Sequence, residues 1–351
     1  MGTTVLEITL HDINDKIPNM ARDSYTGFVK EESDVELQLQ IQAFDGDEPG
    51  TDNSEIKYTI EKSNFSGNFS INARIGLLKN NGPLDREAIE ASATGVIHLN
   101  VTASDMGHPS LSSWVMVTIN VEDINDNTPM FKYPSYEFYV NESEKGTFVG
   151  SVFALDLDQT EMNNRISFRI ADGSFGNFLI IAYSEGRGQG YTGNITVDPD
   201  IALDYEQHRI SYKLKIEATD LGQKSDVTLV TVNIMDVNDE RPTLPSFMIL
   251  NVKENTTGLG EVGKIMGADV DTNHSLIYKL LTSSCRCSGI MGPCDEEWFK
   301  LETTGAIVVN EKFLIDYEVC DQVQMEVQAV DVFTEKGENH SIPGRVPQYP
   351  R

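Results

Sequence analysis

Short groups of acidic residues recur along this chain at nearly constant spacing. The sequence Asp-Ile-Asn-Asp at 12–15 returns at 123–126 and, as Asp-Val-Asn-Asp, at 236–239, so the copies lie 111 and 113 residues apart. Carboxylates that are held close together repel one another and raise each other's pKa unless a cation compensates their charge. Acidic groups that recur in this way therefore predict bound cations rather than isolated surface charges.

Four more motifs keep the same order and almost the same period. They are Val-x-Glu at 29–31, 140–142 and 252–254; Asp-x-Asp at 45–47, 156–158 and 269–271; Asp-x-Glu at 85–87, 204–206 and 316–318; and Ala-x-Asp at 103–105, 218–220 and 329–331. A single Asp-x-Asp pair is more simply explained by aspartates that cap turns. Turn caps have no reason to share one spacing, so five motifs in register indicate three tandem copies of one module.

The donor atoms that these motifs offer are all oxygens. Ca²⁺ takes about six to eight oxygen ligands in flexible geometry, whereas Zn²⁺ favours His and Cys. No histidine lies inside the motifs, and an EF-hand loop that began at Asp45 would need a glutamate where Ile56 stands. The motifs therefore predict calcium sites of another kind. Because they repeat with the module, they do not resemble one catalytic carboxylate pair, and we expect no enzyme.

Charge and hydropathy exclude several classes of protein. The 351 residues include 55 acidic and 27 basic side chains, for a formal net charge of −28. Nucleic-acid binding needs cationic side chains that displace counterions, so nucleic acid is not an expected partner. Residues 1–4 lack the features of a signal peptide, and no apolar run is long enough for a transmembrane helix. Hydrophobic residues make up 39% of the chain, which argues against disorder of the bulk.

Strands must position the acidic motifs, because the hydrophobic pattern between them has a period of two. Alternating, β-branched runs cover 96–103, 115–121, 212–218 and 227–234, and turn-forming residues separate them. Short strands, modules of about 110 residues and no convincing helical period predict an all-β chain. We expect one seven-stranded β-sandwich per module, with the acidic motifs at strand ends and between modules.

The motif order divides the chain into four expected segments. Residues 1–16 are the end of a preceding repeat and its linker, and residues 17–127, 128–240 and 241–351 are three repeats. The third repeat is expected to lack its last strand, because proline cannot donate to a β-ladder and the tail carries Pro343, Pro347 and Pro350. At the other end, residues 5–10 alternate like a last strand whose own repeat lies outside the chain.

The motif set resembles the extracellular repeats of the cadherin superfamily over nearly the whole chain. The most specific stretches are Leu-Asp-Arg-Glu at 84–87 and Val-Glu-Asp-Ile-Asn-Asp-Asn-Thr-Pro at 121–129. The resemblance implies tandem Greek-key, immunoglobulin-like sandwiches in an elongated rod, with about three Ca²⁺ held at each complete linker. It favours a long, many-repeat cadherin or a protocadherin-like member.

The resemblance also assigns ligands to two complete linkers, which we name linker 1 (residues 123–127) and linker 2 (residues 236–240). Linker 1 receives Glu31, Asp85, Glu87, Asp123, Asn125, Asp126, Asp156, Asp158 and Asp220, with the carbonyls of Ile124, Asn127 and Asn163. Linker 2 receives Glu142, Asp204, Glu206, Asp236, Asn238, Asp239, Asp269, Asp271 and Asp331, with the carbonyls of Val237, Glu240 and Asn273. A weaker half site takes Asp12, Asn14, Asp15, Asp45, Asp47 and Asp105. Glu254, Asp316 and Glu318 form another, because no linker follows them.

What the resemblance implies for function is calcium-dependent cell–cell adhesion by an ectodomain fragment that Ca²⁺ makes rigid. Its partners would be other cadherin ectodomains, by homophilic or heterophilic pairing. The parent protein would be anchored in the plasma membrane, with these repeats on the extracellular face. Two alternatives remain: a mechanical spacer within a long cadherin, and a secreted calcium-binding enzyme domain. Conserved exposed aromatic residues away from the linkers would favour adhesion over the spacer.

Four cysteines, at 285, 287, 294 and 320, predict disulfide bonds in an extracellular module, and all three pairings are open. A Cys₄ zinc site is the alternative, although the tight Cys-x-Cys spacing is unusual for one. Asn-x-Ser/Thr sequons predict some N-glycosylation. They begin at Asn64, Asn68, Asn100, Asn141, Asn194, Asn255, Asn273 and Asn339. Asn141 and Asn273 lie inside calcium motifs and are the weakest candidates.

Three smaller features have structural interpretations. Trp114 and Trp298 fall in or beside predicted strands, so we expect both in hydrophobic cores. The glycine-rich residues 186–190 resemble a phosphate-binding loop only superficially, because no helical pattern follows them. We expect them to form a hairpin tip.

Overall fold

The computed structural model describes residues 3–89, 94–207, 209–255, 260–335 and 339–342. Within these ranges the chain consists of strands joined by loops, with one 3₁₀ turn at Ser66–Asn68 and one short helix, α1, at Glu161–Asn164. The strands fall into three consecutive groups. This confirms the prediction of an all-β chain made of tandem sandwiches.

The first group forms a sandwich of a four-stranded and a three-stranded sheet, with a small two-stranded ribbon. Its strands are β1 (Asn19–Met20), β2 (Ser24–Lys30), β3 (Leu39–Gln40), β4 (Ala43–Phe44), β5 (Lys57–Ile60), β6 (Phe69–Ile71), β7 (Leu77–Asn80), β8 (Val96–Ser104) and β9 (Ser112–Glu122). The sheets have the strand orders β2-β9-β8-β5 and β3-β7-β6, and β1 pairs with β4. The seven expected strands are present, but the first two are each broken into two segments.

The second group repeats this plan with two four-stranded sheets. Its strands are β10 (Met130–Phe131), β11 (Ser135–Asn141), β12 (Phe148–Leu155), β13 (Ser167–Asp172), β14 (Phe178–Ser184), β15 (Tyr191–Val197), β16 (Ser211–Thr219) and β17 (Ser225–Met235). The strand orders are β11-β17-β16-β13 and β10-β12-β15-β14. β11 runs parallel to β17, as β2 does to β9. Residues 186–190 join β14 to β15, which confirms the predicted hairpin tip.

The third group has two three-stranded sheets. Its strands are β18 (Glu261–Lys264), β19 (Leu276–Cys287), β20 (Ile290–Pro293), β21 (Phe299–Leu301), β22 (Ala306–Val309) and β23 (Cys320–Asp331), in the orders β18-β22-β21 and β20-β19-β23. The end of β23 is covered by a single bridge between Val330 and His340. Residues 343–351, on which the prediction of a missing last strand partly depends, lie outside the described residues.

Alternation along the strands separates core from surface. In β8 the side chains of Ile97, Leu99, Val101 and Ala103 are buried between the two sheets of the first group. β16 buries four residues of the second group in the same way. Burial of one large aliphatic side chain contributes about 1.5–3 kcal/mol relative to exposure. These cores therefore hold the strand ends, and with them the acidic motifs, in fixed positions.

One sequence-based expectation about apolar residues was wrong. Trp298 is buried as expected, but Trp114 is 59% exposed on the outer face of β9, because its neighbour Val115 occupies the core-facing position. Residues 5–10 form no strand, and Val5 is 95% exposed. The described residues provide no strand with which this segment pairs, and its assignment to the end of a preceding repeat stays a prediction.

The four cysteines form two disulfide bonds, Cys285–Cys294 and Cys287–Cys320. Strand register explains one of these pairs, since Cys287 lies opposite Cys320 where β19 pairs with β23. The other links β19 to the segment that follows β20. No cysteine is left free within the described residues, so the Cys₄ zinc alternative is wrong.

Candidate metal centres at the linkers

The predicted ligands begin where strands end. β2 ends directly before Glu31, β9 directly before linker 1, and β12 directly before Asp156. In the next repeat, β11 ends directly before Glu142 and β17 directly before linker 2. The sandwich cores fix these strand ends. The fold therefore delivers carboxylates from two neighbouring repeats to each linker.

Glu31 ties the first repeat to linker 1. Its carboxylate is buried, at 1% exposure, and accepts a hydrogen bond from the backbone N–H of Ile124 at 2.6 Å on one oxygen. The other oxygen accepts from the N–H of Arg86 at 2.9 Å. One side chain thus holds the end of β2, the segment that carries Asp85 and Glu87, and the linker together.

Glu142 repeats this arrangement at linker 2. It is equally buried, and its oxygens accept from the backbone N–H groups of Val237 at 2.9 Å and Tyr205 at 2.5 Å. The two glutamates therefore perform the same bridging role with the same backbone donors. This repetition follows from the spacing of the Val-x-Glu and Asp-x-Glu motifs.

The second repeat closes linker 1 from the other side. Asp156, Asp158 and Asp220 are all buried. Asp158 accepts hydrogen bonds from the backbone and side-chain nitrogens of Asn127, at 3.1 and 2.9 Å. The side chain of Asn125 donates to Asp220 at 2.9 Å. Linker 1 is therefore bonded directly to the repeat that follows it.

The third repeat closes linker 2 through equivalent bonds. Asp271 accepts from the backbone N–H of Glu240 at 3.0 Å, as Asp158 does from that of Asn127. The side chain of Asn238 donates to Asp331 at 2.5 Å. The substitution of Glu240 for the usual asparagine leaves the backbone contact in place.

At the two complete linkers, three groups of carboxylates come close enough to share a cation. Within each group, one oxygen from every residue lies within 4.8 Å of the others: Glu31, Glu87 and Asp126 at linker 1; Glu142, Glu206 and Asp236, and Glu206, Asp239 and Asp271, at linker 2. Glu206 belongs to both groups at linker 2. Such distances are strongly repulsive for ionised carboxylates unless a proton or a cation lies between them.

Burial and mutual repulsion raise the pKa values of carboxylates in these clusters. Burial, together with the negative charge of Glu31, raises the pKa of Glu87 to about 8. Burial likewise raises the pKa of Glu206 to about 7, with a contribution from Glu142. The pKa of Asp271 rises to about 6, again mainly through burial. Full ionisation at neutral pH therefore requires a compensating positive charge.

Unpaired oxygen atoms test whether these residues fit Ca²⁺. Eleven predicted ligand residues each have a buried side-chain oxygen that accepts no hydrogen bond: Asn14, Asp45, Glu87, Asn125, Asp156, Asp158, Glu206, Asp236, Asn238, Asp269 and Asp271. Elsewhere in the described ranges, only Arg86, Gln159 and Glu217 leave a buried side-chain polar atom in this state. A buried polar atom without a partner costs about 1–3 kcal/mol. Oxygen atoms concentrated in this way are the donor set of a hard cation, so the residues fit Ca²⁺.

Some predicted ligands are engaged in local turns. Asp85 accepts from the backbone N–H of Ala88 at 3.0 Å, and Asp204 from that of Gln207 at 2.9 Å. The carbonyl of Asn273 accepts a hydrogen bond from the side chain of Asn238. The side chain of Asn163, rather than its carbonyl, contacts Asp123. Their assignment as ligands, like that of the linker carbonyls, stays a prediction.

The half sites are only partly assembled. Asp47 and Asp105 are buried, but Asp15 is exposed and pairs with Lys16 at 3.1 Å. Asp12 accepts from the backbone N–H of Glu48 at 3.1 Å. At the other end, oxygens of Glu254, Asp316 and Glu318 lie within 4.8 Å of one another. In both places the described chain supplies ligands from one side of a linker only.

Three residues near linker 1 were missed by the sequence reasoning. The guanidinium of Arg86 lies 3.4 Å from Asp123, and Gln159 donates to the Arg86 carbonyl at 2.9 Å. The ammonium of Lys224 donates to the carbonyl of Asp126 at 2.5 Å. Arg86 lies inside the Asp-x-Glu motif and could have been suspected. The other two carry no signal in the spacing.

The fold and the linkers define a class of tandem β-sandwich repeats joined by acidic linkers. A family model described as Cadherin domain matches residues 25–122 and 136–235, which together are more than half of the chain. The chain belongs to the cadherin family. Its repeats are of the ectodomain kind that is typical of adhesion proteins, and this family consists of adhesion proteins rather than enzymes.

Curated relatives cover nearly all of this chain. It is 43% identical over 341 residues to mouse cadherin-related family member 2 and 41% identical over 343 residues to the human protein of that name. It is 30% identical over 338 residues to rat cadherin-23. The first two alignments cover 95% and 96% of this chain but 26% of each relative. The chain thus spans about a quarter of their length.

Solved structures show the same fold. A protocadherin gammaB7 structure, described as an EC3-6 cis-dimer, matches with a TM-score of 0.69 at 23% identity, over 94% of this chain and 77% of that one. Mouse cadherin-23 EC22-24 matches with a TM-score of 0.58 at 25% identity, over 93% and 98%. Among the residues described here, none of the helices could span a bilayer.

Proposed function

We propose that this chain is part of a calcium-dependent cell–cell adhesion ectodomain, in which linkers 1 and 2 each bind about three Ca²⁺. The ligands are those assigned above to each linker. The observation that carries the proposal is the concentration of buried, unpaired carboxylate and amide oxygens at both linkers. The carboxylate clusters of linker 1 and linker 2 support it.

The residues of each linker explain how calcium would change the joint. Bound Ca²⁺ supplies positive charge that cancels repulsion between the carboxylates of neighbouring repeats. Glu31 and Glu142 already hold the preceding repeats to the linkers through two backbone N–H groups each. Asp158 and Asp271 hold the following repeats. With repulsion cancelled, these bonds fix the angle between repeats and stiffen the chain.

An exposed apolar face favours adhesion over a purely mechanical spacer. Phe28, Trp114 and Met116 lie on the outer face of the sheet β2-β9-β8-β5 and are 65%, 59% and 43% exposed. Trp114 and Met116 are neighbours on this face, and contiguous exposed apolar groups mark interaction surfaces, whereas Phe28 lies farther along it, opposite Asn120. We propose other cadherin ectodomains as partners, on the extracellular face of the plasma membrane. The two disulfide bonds support an oxidising compartment.

Analytical ultracentrifugation and small-angle scattering, in saturating Ca²⁺ and in excess EGTA, test both parts of the proposal. We expect a larger maximum dimension and self-association in Ca²⁺. Trp114→Ser should weaken the association, and Thr118→Ser on the same strand face serves as its matched control. An unchanged maximum dimension contradicts the stiffening. A Ca²⁺-dependent shape without association at any concentration excludes homophilic pairing and leaves heterophilic pairing or the spacer.

A further inference from the structure

The three Ala-x-Asp motifs are followed by residues of different charge at one position. Four residues after Asp105, Asp220 and Asp331 the chain has a proline, a lysine and a glutamate. All three aspartates are buried. Side chains of the preceding linkers contact these loops: Asn125 donates to Asp220, Asn238 to Asp331, and Asn14 to the carbonyl of Pro109. One position beside each linker is therefore neutral in the first repeat, cationic in the second and anionic in the third.

The positively charged side chain of Lys224 contacts linker 1. Its ammonium donates to the carbonyl of Asp126 at 2.5 Å. The loop behind it is closed by two bonds with Asp220: the Lys224 N–H donates to the carboxylate at 2.9 Å, and the Lys224 carbonyl accepts from the Asp220 N–H at 3.1 Å. The loop backbone is therefore fixed, and the hydrogen bond to Asp126 places the ammonium at linker 1.

Glu335 occupies the equivalent place at linker 2. Its backbone N–H donates to the carbonyl of Asn238 at 2.9 Å, so this loop also contacts the linker. Its side chain is exposed and negative. Linker 2 itself contains Glu240 where linker 1 has Asn127. Linker 2 thus has glutamates at the positions where linker 1 has Lys224 and Asn127, while Arg241 directly follows linker 2 where Thr128 follows linker 1.

We propose that Lys224 is a built-in cation that sets the calcium response of linker 1. This inference rests on the proposed function. A fixed positive charge lowers the affinity of nearby carboxylates for Ca²⁺ and reduces their mutual repulsion when Ca²⁺ is absent. The carbonyl of Asp126 is not among the ligand carbonyls assigned to linker 1, so Lys224 and Ca²⁺ do not need the same oxygen. Linker 2 should therefore order at lower Ca²⁺ concentration than linker 1, and loosen more in EGTA.

Hydrogen exchange of the whole chain, measured over a Ca²⁺ titration, resolves the two linkers through peptides that contain residues 123–127 and 236–240. Lys224→Met should lower the Ca²⁺ concentration that gives half protection of linker 1 by about threefold to tenfold. It should also reduce protection of linker 1 in EGTA. Linker 2 should not change. Lys224→Arg keeps the charge and should behave as the unmodified chain does.

Lys215→Met is the matched control, because Lys215 is exposed on β16 and its loss changes net charge equally. Glu335→Lys should raise the half-protection concentration of linker 2. The inference is overturned if Lys224→Met leaves linker 1 unchanged, or if Lys215→Met or Lys224→Arg shifts it as strongly. If neither linker of the unmodified chain gains protection with Ca²⁺, the proposed function fails, and this inference fails with it.

Discussion

Linkers 1 and 2 have the same predicted ligand types but different neighbours. Each is assigned eight carboxylates at equivalent positions. Each is tied to the preceding repeat by one buried glutamate that accepts two backbone N–H bonds. Beside linker 1, however, stand Arg86 and Lys224, where linker 2 has Tyr205 and Glu335. The two sites therefore share a scaffold and differ in electrostatic surroundings.

This difference separates the residues that place the carboxylates from the residues that set the electrostatic repulsion between them. Strand ends and backbone hydrogen bonds place the carboxylates, and both depend on motif spacing that every repeat keeps. Residues that are not ligands set how strongly the carboxylates repel one another. The tuning residues can therefore change between linkers without disturbing the scaffold, which makes the two linkers controls for each other.

The largest expected effect tests the shared scaffold. Glu31→Ala leaves the N–H groups of Ile124 and Arg86 without their acceptor, and Glu142→Ala does the same at linker 2. With about 1–3 kcal/mol for each unsatisfied donor, we expect the free energy of unfolding to fall by roughly 2–5 kcal/mol in both variants. Urea denaturation in Ca²⁺ measures this.

Asp15→Ala is the control for these two variants. Asp15 is exposed and pairs only with Lys16 among the described residues, so its loss should cost less than about 1 kcal/mol. Equal losses for Glu31→Ala and Glu142→Ala would support equivalent bridging roles at the two linkers. A loss for Asp15→Ala as large as theirs would contradict the idea that the buried glutamates stabilise the chain more than an exposed aspartate does.

The assembly of the linkers was predictable from sequence, whereas their electrostatic neighbours were not. Period-two runs predicted β8, β9, β16 and β17 to within three residues at each end, and motif spacing then placed Glu31 and Asp156 at strand ends. Contacts of Arg86, Gln159 and Lys224 depend on how one repeat approaches the next. Neither hydrophobic periodicity nor motif spacing predicts how neighbouring repeats are oriented at a linker.

The face of a strand was also ambiguous where both faces carry apolar residues. In β9, Trp114 and Met116 point outward, while Val115 and Val117 face the core. Alternation cannot distinguish these two sets by hydrophobicity alone. The disulfide pairing was unpredictable for a related reason, because it follows from the register of β19 with β23 and from the β19–β20 hairpin.

A smaller expected effect tests the contrast between Arg86 at linker 1 and Tyr205 at linker 2. The guanidinium is largely buried, lies 3.4 Å from Asp123, and donates to the carbonyls of Val121 and of Thr94, the latter at 2.8 Å. Arg86→Met should lower the free energy of unfolding by about 1–3 kcal/mol. Because Ca²⁺ compensates the charge of Asp123, the loss should be greater in EGTA than in Ca²⁺.

Tyr205→Met is the matched change at linker 2. Tyr205 packs against the core of the second repeat and carries no charge, so its replacement loses packing only. Denaturation midpoints of this variant should fall equally in EGTA and in Ca²⁺. If Arg86→Met also behaves identically in the two conditions, its guanidinium contributes by packing and hydrogen bonding, and the electrostatic contrast between the linkers is smaller than we infer.

The smallest expected effect concerns protons. Glu87 and Glu206 have a usual pKa near 4.5, and burial with repulsion raises these values to about 8 and about 7 in the folded chain. Between those limits the folded chain without Ca²⁺ holds protons that the unfolded chain has released. The free energy of unfolding in EGTA should therefore fall as pH rises from about 4.5 to 8.

Calcium binding requires these carboxylates to ionise, so it should release protons, and more at linker 1 than at linker 2. At about pH 7.5, Glu87, with a pKa of about 8, should hold its proton to a greater extent than Glu206, with a pKa of about 7. Isothermal titration of Ca²⁺ in buffers of different ionisation enthalpy counts the protons released. Glu87→Gln should reduce that count more than Glu206→Gln, because the glutamine variants carry no proton to release. Equal reductions would mean that burial and neighbouring carboxylates raise the pKa of Glu87 and of Glu206 to the same extent. In that outcome, Glu87 gains no more from its neighbours at linker 1 than Glu206 does at linker 2, and the contrast between the linkers is confined to residues outside the clusters, such as Lys224 and Glu335.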